Sequence, residues 1–136
     1  MKSTLFLAAL LCAFSVRAEA EKIDYGLVLM AGTGIVDGRL VRYMKVHRDS
    51  CLIVQELMPG NIRKVVAESR ICGLNGDCFS TDFVDFDFVS GSFSDEGLSF
   101  EVNATPKRPF EERVLTCEVV FSRGVASHLS CDDSAN

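Results

Sequence analysis

Thr81-Asp82-Phe83-Val84-Asp85-Phe86-Asp87-Phe88 alternates: Val84, Phe86 and Phe88 fall on one side of an extended chain, Asp85 and Asp87 on the other. A period of two is the mark of a strand with one face in a core and one in solvent. Two further stretches repeat the pattern. Leu98, Phe100 and Val102 alternate with Ser99, Glu101 and Asn103, and Leu115, Cys117, Val119 and Phe121 alternate through 115–121. Half-buried strands of this kind belong to antiparallel sheets, which tolerate water on one face.

Working outward, the apolar runs Cys51–Met58 and Ile62–Ile71 flank Pro59-Gly60-Asn61, strong turn chemistry. Gly91, Asp95-Glu96-Gly97 and Ser122-Arg123-Gly124 read as further turns, the last closing a hairpin into Val125–Cys131. Toward the N-terminus, Ile23–Met30 and Leu40–Val46 read as strands separated by a turn at Gly32-Thr33-Gly34. The expectation is an all-β antiparallel sandwich of about eight short strands, with no helix of any length.

The 136 residues are 48% hydrophobic and 24% charged, enough for one domain and too apolar for a disordered chain. Lys2 followed by the apolar run Leu5–Phe14 has the form of a signal peptide and is too short to span a bilayer, where about 20 apolar residues are needed. Small residues place cleavage after Ala18, with Ala20 as the alternative, so residues 1–18 are assigned as leader and 19–136 as one secreted domain. Losing Lys2 and Arg17 leaves 12 basic against 19 acidic residues, a net charge of −7. An acidic surface argues against nucleic acid as a partner.

Loss of Cys12 leaves Cys51, Cys72, Cys78, Cys117 and Cys131 in an oxidising compartment, where they should pair and one should be left over. Cys72 and Cys78 bracket the tight loop Gly73-Leu74-Asn75-Gly76-Asp77, which favours a bridge between them. A bridge from Cys51 to Cys117 would staple two facing sheets. The rival is Cys117 with Cys131, because both lie seven residues from Gly124 and a hairpin turning there would set them opposite each other. If Cys72–Cys78 and Cys51–Cys117 form, Cys131 is the unpaired thiol, close to the polar C-terminus and available for a disulfide-linked homodimer.

A Cys in an early strand, the Cys72-x5-Cys78 loop, Leu98-x-Phe100-x-Val102 and Leu115-x-Cys117 before a Gly-containing hairpin resemble immunoglobulin-like domains of small secreted invertebrate proteins. The resemblance covers about residues 40–131. It implies a fold, and a sandwich by itself specifies no function.

Catalytic chemistry is thin. His47 and His128 are the only histidines, neither beside a Cys nor at a zinc-ligand spacing. No Gly-x-Ser-x-Gly elbow occurs, and Gly32-Thr33-Gly34 lacks the Lys of a phosphate loop. The sequence points to a protein without enzymatic activity or cofactor.

Charge is the more informative feature. Residues 77–101 hold Asp77, Asp82, Asp85, Asp87, Asp95, Glu96 and Glu101 with no Lys or Arg. Residues 39–70 hold Arg39, Arg42, Lys45, Arg48, Arg63, Lys64 and Arg70 against Asp49, Glu56 and Glu68. Adjacent strands would cross-pair these two segments, or the polarity would steer an oppositely charged partner or a second copy. Asp85 and Asp87 with a neighbouring loop could also hold calcium, although the spacing matches no EF-hand. Asn103-Ala104-Thr105 is a glycosylation acceptor on the solvent face of its strand, followed by Pro106.

These features together favour a secreted recognition module that binds an extracellular protein or glycan through its loops or one sheet face. Two alternatives share the same features: a toxin-like or inhibitory effector acting on a foreign target, and a calcium-binding matrix protein.

Overall fold

The computed structural model of the chain describes residues 23–134. A single 3-10 turn, Tyr25–Leu27, leads into β1 (Val28–Val36), β2 (Arg39–Val46), β3 (Leu52–Met58) and β4 (Asn61–Ile71). A short excursion, β5 (Gly73–Leu74) and β6 (Asp77–Cys78), crosses to β7 (Phe83–Ser94), β8 (Gly97–Pro106), β9 (Arg113–Ser122) and β10 (Val125–Asp133). Ten strands stand where about eight were expected; the two additional ones are the two-residue ladder β5–β6.

The long strands form two four-stranded antiparallel sheets, β1-β2-β3-β4 and β10-β9-β8-β7, sharing one core in a sandwich-like arrangement. In each sheet every neighbour is the next strand in sequence. Each is a meander built from tight hairpins. An immunoglobulin domain instead threads a Greek key between its sheets, and the described strands make no such crossover. The likeness to that family stops at the layered architecture.

Turn chemistry explains the hairpins. Asp37-Gly38 and Arg123-Gly124 both place two successive residues at positive φ (49° and 73°; 54° and 79°), the geometry of two-residue hairpin turns whose twist matches that of the strands. The Gly32-Thr33-Gly34 turn expected from sequence is therefore displaced to Asp37-Gly38. Gly32 and Gly34 lie within β1 and face inward. A Cβ on Gly32 would stand 2.6 Å from the Tyr43 ring, and one on Gly34 would stand 2.3 Å from Phe93. Gly91 is likewise inside β7, beneath Tyr43 and Phe100. Glycine at these places removes a side chain so that an aromatic ring can lie on the backbone.

The core is a relay of rings. Phe93 and Tyr43 stack at 5.8 Å, Tyr43 meets Phe100 edge-on at 4.8 Å, and Phe100 meets Phe88 at 5.3 Å. Phe86, Phe79 and Phe83 continue it, with Phe79 and Phe86 stacked at 4.0 Å. Val84, expected to share the inner face, sits instead at a bulge between Phe83 and Asp85 and is exposed; Phe83 is buried in its place.

The disulfides correct the expected pairing. Cys51 is bonded to Cys72, and Cys117 to Cys131. Cys72 is therefore not paired with Cys78, nor Cys51 with Cys117. The register gives the reason. Leu52 pairs with Ile71, so Cys51 and Cys72 are the next positions outward from the Pro59-Gly60 turn, while Cys117 and Cys131 are direct partners across β9–β10. Each bridge clips two neighbouring strands of one sheet, and neither ties sheet to sheet. With Cys131 bonded within the chain, the dimer expected through its thiol has no such thiol to form it, and among the described residues no cysteine is free.

The signal peptide assigned to residues 1–18, with its cleavage sites after Ala18 or Ala20, lies outside the described residues.

Candidate functional site: the outer face of the second sheet

Alternation along β7–β10 sends Phe86, Phe88, Phe100, Val102, Leu115, Cys117 and Leu129 inward and leaves a polar outer face. Register assembles that face in rows. Asp132, Thr116, Glu101 and Ser90 lie side by side across the four strands; Ser130, Glu118, Ser99 and Ser92 form the next row. Asn103 stands between Asp87 and Val114, and Thr105 beside Asp85. Neighbouring strands are about 4.8 Å apart and alternate residues about 7 Å apart, so Asp85, Asp87, Glu101, Glu118 and Asp132 spread over a patch comparable with a few Debye lengths at physiological salt.

All five carboxylates are exposed. None makes an ion pair with a described residue. Among the described residues no Lys or Arg projects from this face, and its one titratable base is His128, whose Nδ1 lies 3.0 Å from Ser127 Oγ.

The basic segment behaves differently. Its three acidic residues are engaged within their own sheet. Arg39 pairs with Glu56 at 3.3 Å and Arg70 with Asp49 at 2.6 Å. Arg42 donates to Gln55 Oε1 at 3.0 and 2.6 Å, and Gln55 Nε2 donates to Glu68 at 2.8 Å. The cross-pairing expected between the basic and acidic segments yields no ion pair among the described residues, because the fold sends them to different sheets; what links them is the weaker charge interaction of Lys45 with Asp87.

The acidic stretch of the sequence is only partly on this face. Asp85, Asp87 and Glu101 are there. Asp82 accepts from the Cys78 backbone N–H at 2.7 Å and shapes the loop before β7, while Asp95 and Glu96 form the β7–β8 turn. Glu118 and Asp132 join the face through pairings that the hairpin at Arg123-Gly124 dictates. Among the described residues no group of three His, Cys, Asp or Glu side chains is placed to hold a metal ion, Asp85 and Asp87 included. Asn103 lies on the outer face as alternation implied, half-buried in the middle of β8, with Ala104 turned into the core.

Family models, curated proteins and solved structures returned no match to the chain. Function has to be argued from these residues. No helix among the described residues is long and apolar enough to cross a membrane, and disulfides within both sheets suit an oxidising, extracellular setting.

Proposed function

We propose that the protein is a secreted, non-enzymatic recognition module whose binding surface is the outer face of β7–β10 and whose partner is an extracellular protein presenting a basic patch. One observation carries this reading: five carboxylates on a rigid, disulfide-clipped sheet make no ion pair with a described residue, Asp87 alone feeling a cation, Lys45, while the acidic residues of the basic segment are each held by an arginine or by Gln55. Like charges held close together destabilise the sheet that carries them. An oppositely charged partner offsets that repulsion and is drawn in at long range. An N-glycan on Asn103 would sit beside Asp87 and leave Glu101, Glu118 and Asp132 open to the partner.

The test is capture from extracellular fluid by the tagged chain beside Glu101→Lys/Glu118→Lys. Both substitutions are on exposed positions and should leave the melting temperature within a few degrees. Partners retained by the wild type, eluted by salt and absent from the reversed variant support the reading. Equal capture by both proteins refutes it.

A further inference from the structure

The first sheet has an apolar strip on the side away from the core. Met44, Ile53 and Leu57 are 2%, 0% and 1% exposed, yet none belongs to the core that the two sheets share. Val41, Tyr43, Leu52 and Val54 point into that core, so alternation turns Met44 and Ile53 the other way. The register joins the strip across the strands: Met44 pairs with Ile53, Leu40 with Leu57, and Ile35, 58% exposed, extends it on β1 beside Leu40. The second sheet lies against the opposite side, and the β5–β6 ladder packs beside β10. The described strands therefore supply no layer over this strip.

The described chain begins on the same face, where the Tyr25 ring centroid lies 5.7 Å from Arg42 Cζ. Apart from Ala135 and Asn136, the rest of the chain is the 22 residues before Ile23, and their apolar run is Leu5–Phe14. Cleavage after Ala18 removes that run. It leaves Glu19-Ala20-Glu21-Lys22, three charges in four residues, which cannot seal an apolar strip. In the cleaved chain the cover has to come from another molecule, since a contiguous apolar patch open to water marks a contact surface. The polar row through the strip says which molecule. Arg42, Gln55 and Glu68 lie side by side on β2, β3 and β4, with the two charges on either side of Gln55. Arg42 and Glu68 each hydrogen-bond to Gln55, and neither makes an ion pair with a described residue. A two-fold axis along β3 at Gln55 sets Arg42 of one copy against Glu68 of the other, twice over. A face complementary to itself in this way fits a symmetric dimer.

We propose that the chain cleaved after Ala18 or Ala20 covers this strip with a second copy of itself, the two first sheets packing back to back with Met44, Ile53 and Leu57 at the centre and Arg42 facing Glu68. The inference rests on removal of the leader. Such a dimer turns its two acidic faces outward on opposite sides. Combined with the recognition reading above, it makes the protein bivalent toward a basic partner.

The experiment is light scattering across a dilution series of the chain secreted from cultured cells, with its N-terminus fixed by intact mass. The expected result is a chain starting at Glu19 or Glu21 that is dimeric and dissociates on dilution. Arg42→Glu or Glu68→Arg alone sets two like-charged pairs across the axis and should raise the dimer dissociation constant about a hundredfold. Arg42→Glu/Glu68→Arg restores opposite charges and should restore the dimer, which a variant that merely misfolds could not do. Glu101→Lys/Glu118→Lys, on the other sheet, should dimerise as wild type does, so this inference and the acidic-face reading fail separately. The proposal is overturned if the secreted chain starts at Met1, if it is monomeric at every concentration, if either single reversal leaves the dimer intact, if the double reversal does not restore it, or if Glu101→Lys/Glu118→Lys abolishes it.

Discussion

In the β1–β4 sheet, Asp49 and Glu56 each sit against an arginine and Glu68 is reached through Gln55, whereas in the β7–β10 sheet Asp85, Asp87, Glu101, Glu118 and Asp132 stand in solvent without an ion pair to a described residue. The two sheets have the same strand number, the same meander and one disulfide each. What differs is what the outer face must do. On β3, Ile53, Gln55 and Leu57 are buried on the side away from the second sheet, and a buried polar group is tolerated only if its hydrogen bonds are made. On the second sheet the outer face is wet, and nothing compels its charges to pair. Charge without ion pairs on a rigid surface is the feature on which the proposed recognition role of the second sheet rests, with the first sheet as its support.

The largest effects should come from the disulfides and should be nearly equal in the two sheets. The bridges span 21 and 14 residues. The loop-entropy relation assigns about 3 kcal/mol to each. Cys51→Ser/Cys72→Ser and Cys117→Ser/Cys131→Ser should therefore lower unfolding free energy in urea by similar amounts, and non-reducing peptide maps should recover both native pairs. A Cys51–Cys117 peptide would restore the inter-sheet staple and undo the comparison.

Next are the glycines by which the first sheet accepts the rings of the core. Gly34→Ala puts a methyl 2.3 Å from Phe93 with no turn geometry to accommodate, and overpacking of that kind costs about 1–3 kcal/mol. A thermal melt of Gly34→Ala unchanged from wild type would show that β1 and β7 approach less closely than described.

Much of this was legible in sequence, and the gaps have physical causes. The alternating stretches gave the second sheet because one of its faces is wet; β3, buried on both sides from Leu52 to Gln55, offers no such alternation. Counting outward from Gly124 placed Cys117 opposite Cys131, and the same count from Pro59-Gly60 places Cys51 beside Cys72, yet the short Cys72–Cys78 spacing was the more conspicuous signal. Gly32 and Gly34 read as a turn because glycine's freedom at positive φ and its lack of a side chain are indistinguishable in a sequence; only the rings above them tell which property is used. Glu118 and Asp132 escaped the reading of the acidic stretch because they reach it across strands, through register.

A smaller effect tests the polar row on the first sheet. Gln55 is fully buried, accepts two bonds from Arg42 and donates one to Glu68. Gln55→Leu removes the relay and leaves both partners wanting, at about 1–3 kcal/mol. Glu101→Gln, on the open face of the other sheet, should be neutral or slightly stabilising. Equal losses for the two in urea titrations would erase the distinction drawn between the sheets.

The smallest effect concerns Lys45, which lies between the sheets and answers to charges from both. Its Nζ donates to the Asp49 carbonyl, lies 3.4 Å from the Cys51 carbonyl oxygen, and stands 6.0 Å from the Phe88 ring centroid. Burial pulls its pKa below 10.5; Asp49, in its own sheet, and Asp87, in the other, oppose that shift. The folded chain therefore holds this proton less tightly than the unfolded chain. At neutral pH both states are protonated and the cost of the buried charge is constant. As pH rises through the window between the lowered value and 10.5, the folded state releases its proton first, so stability gains relative to neutral pH. Wild type should gain on Lys45→Met across that alkaline window in urea titrations. Asp87→Asn, which removes one of the two opposing carboxylates, should begin the gain at lower pH. Parallel curves for wild type and Lys45→Met would mean that the amine is as well solvated folded as unfolded, and an unmoved onset in Asp87→Asn would sever the one electrostatic link described between the acidic sheet and its support.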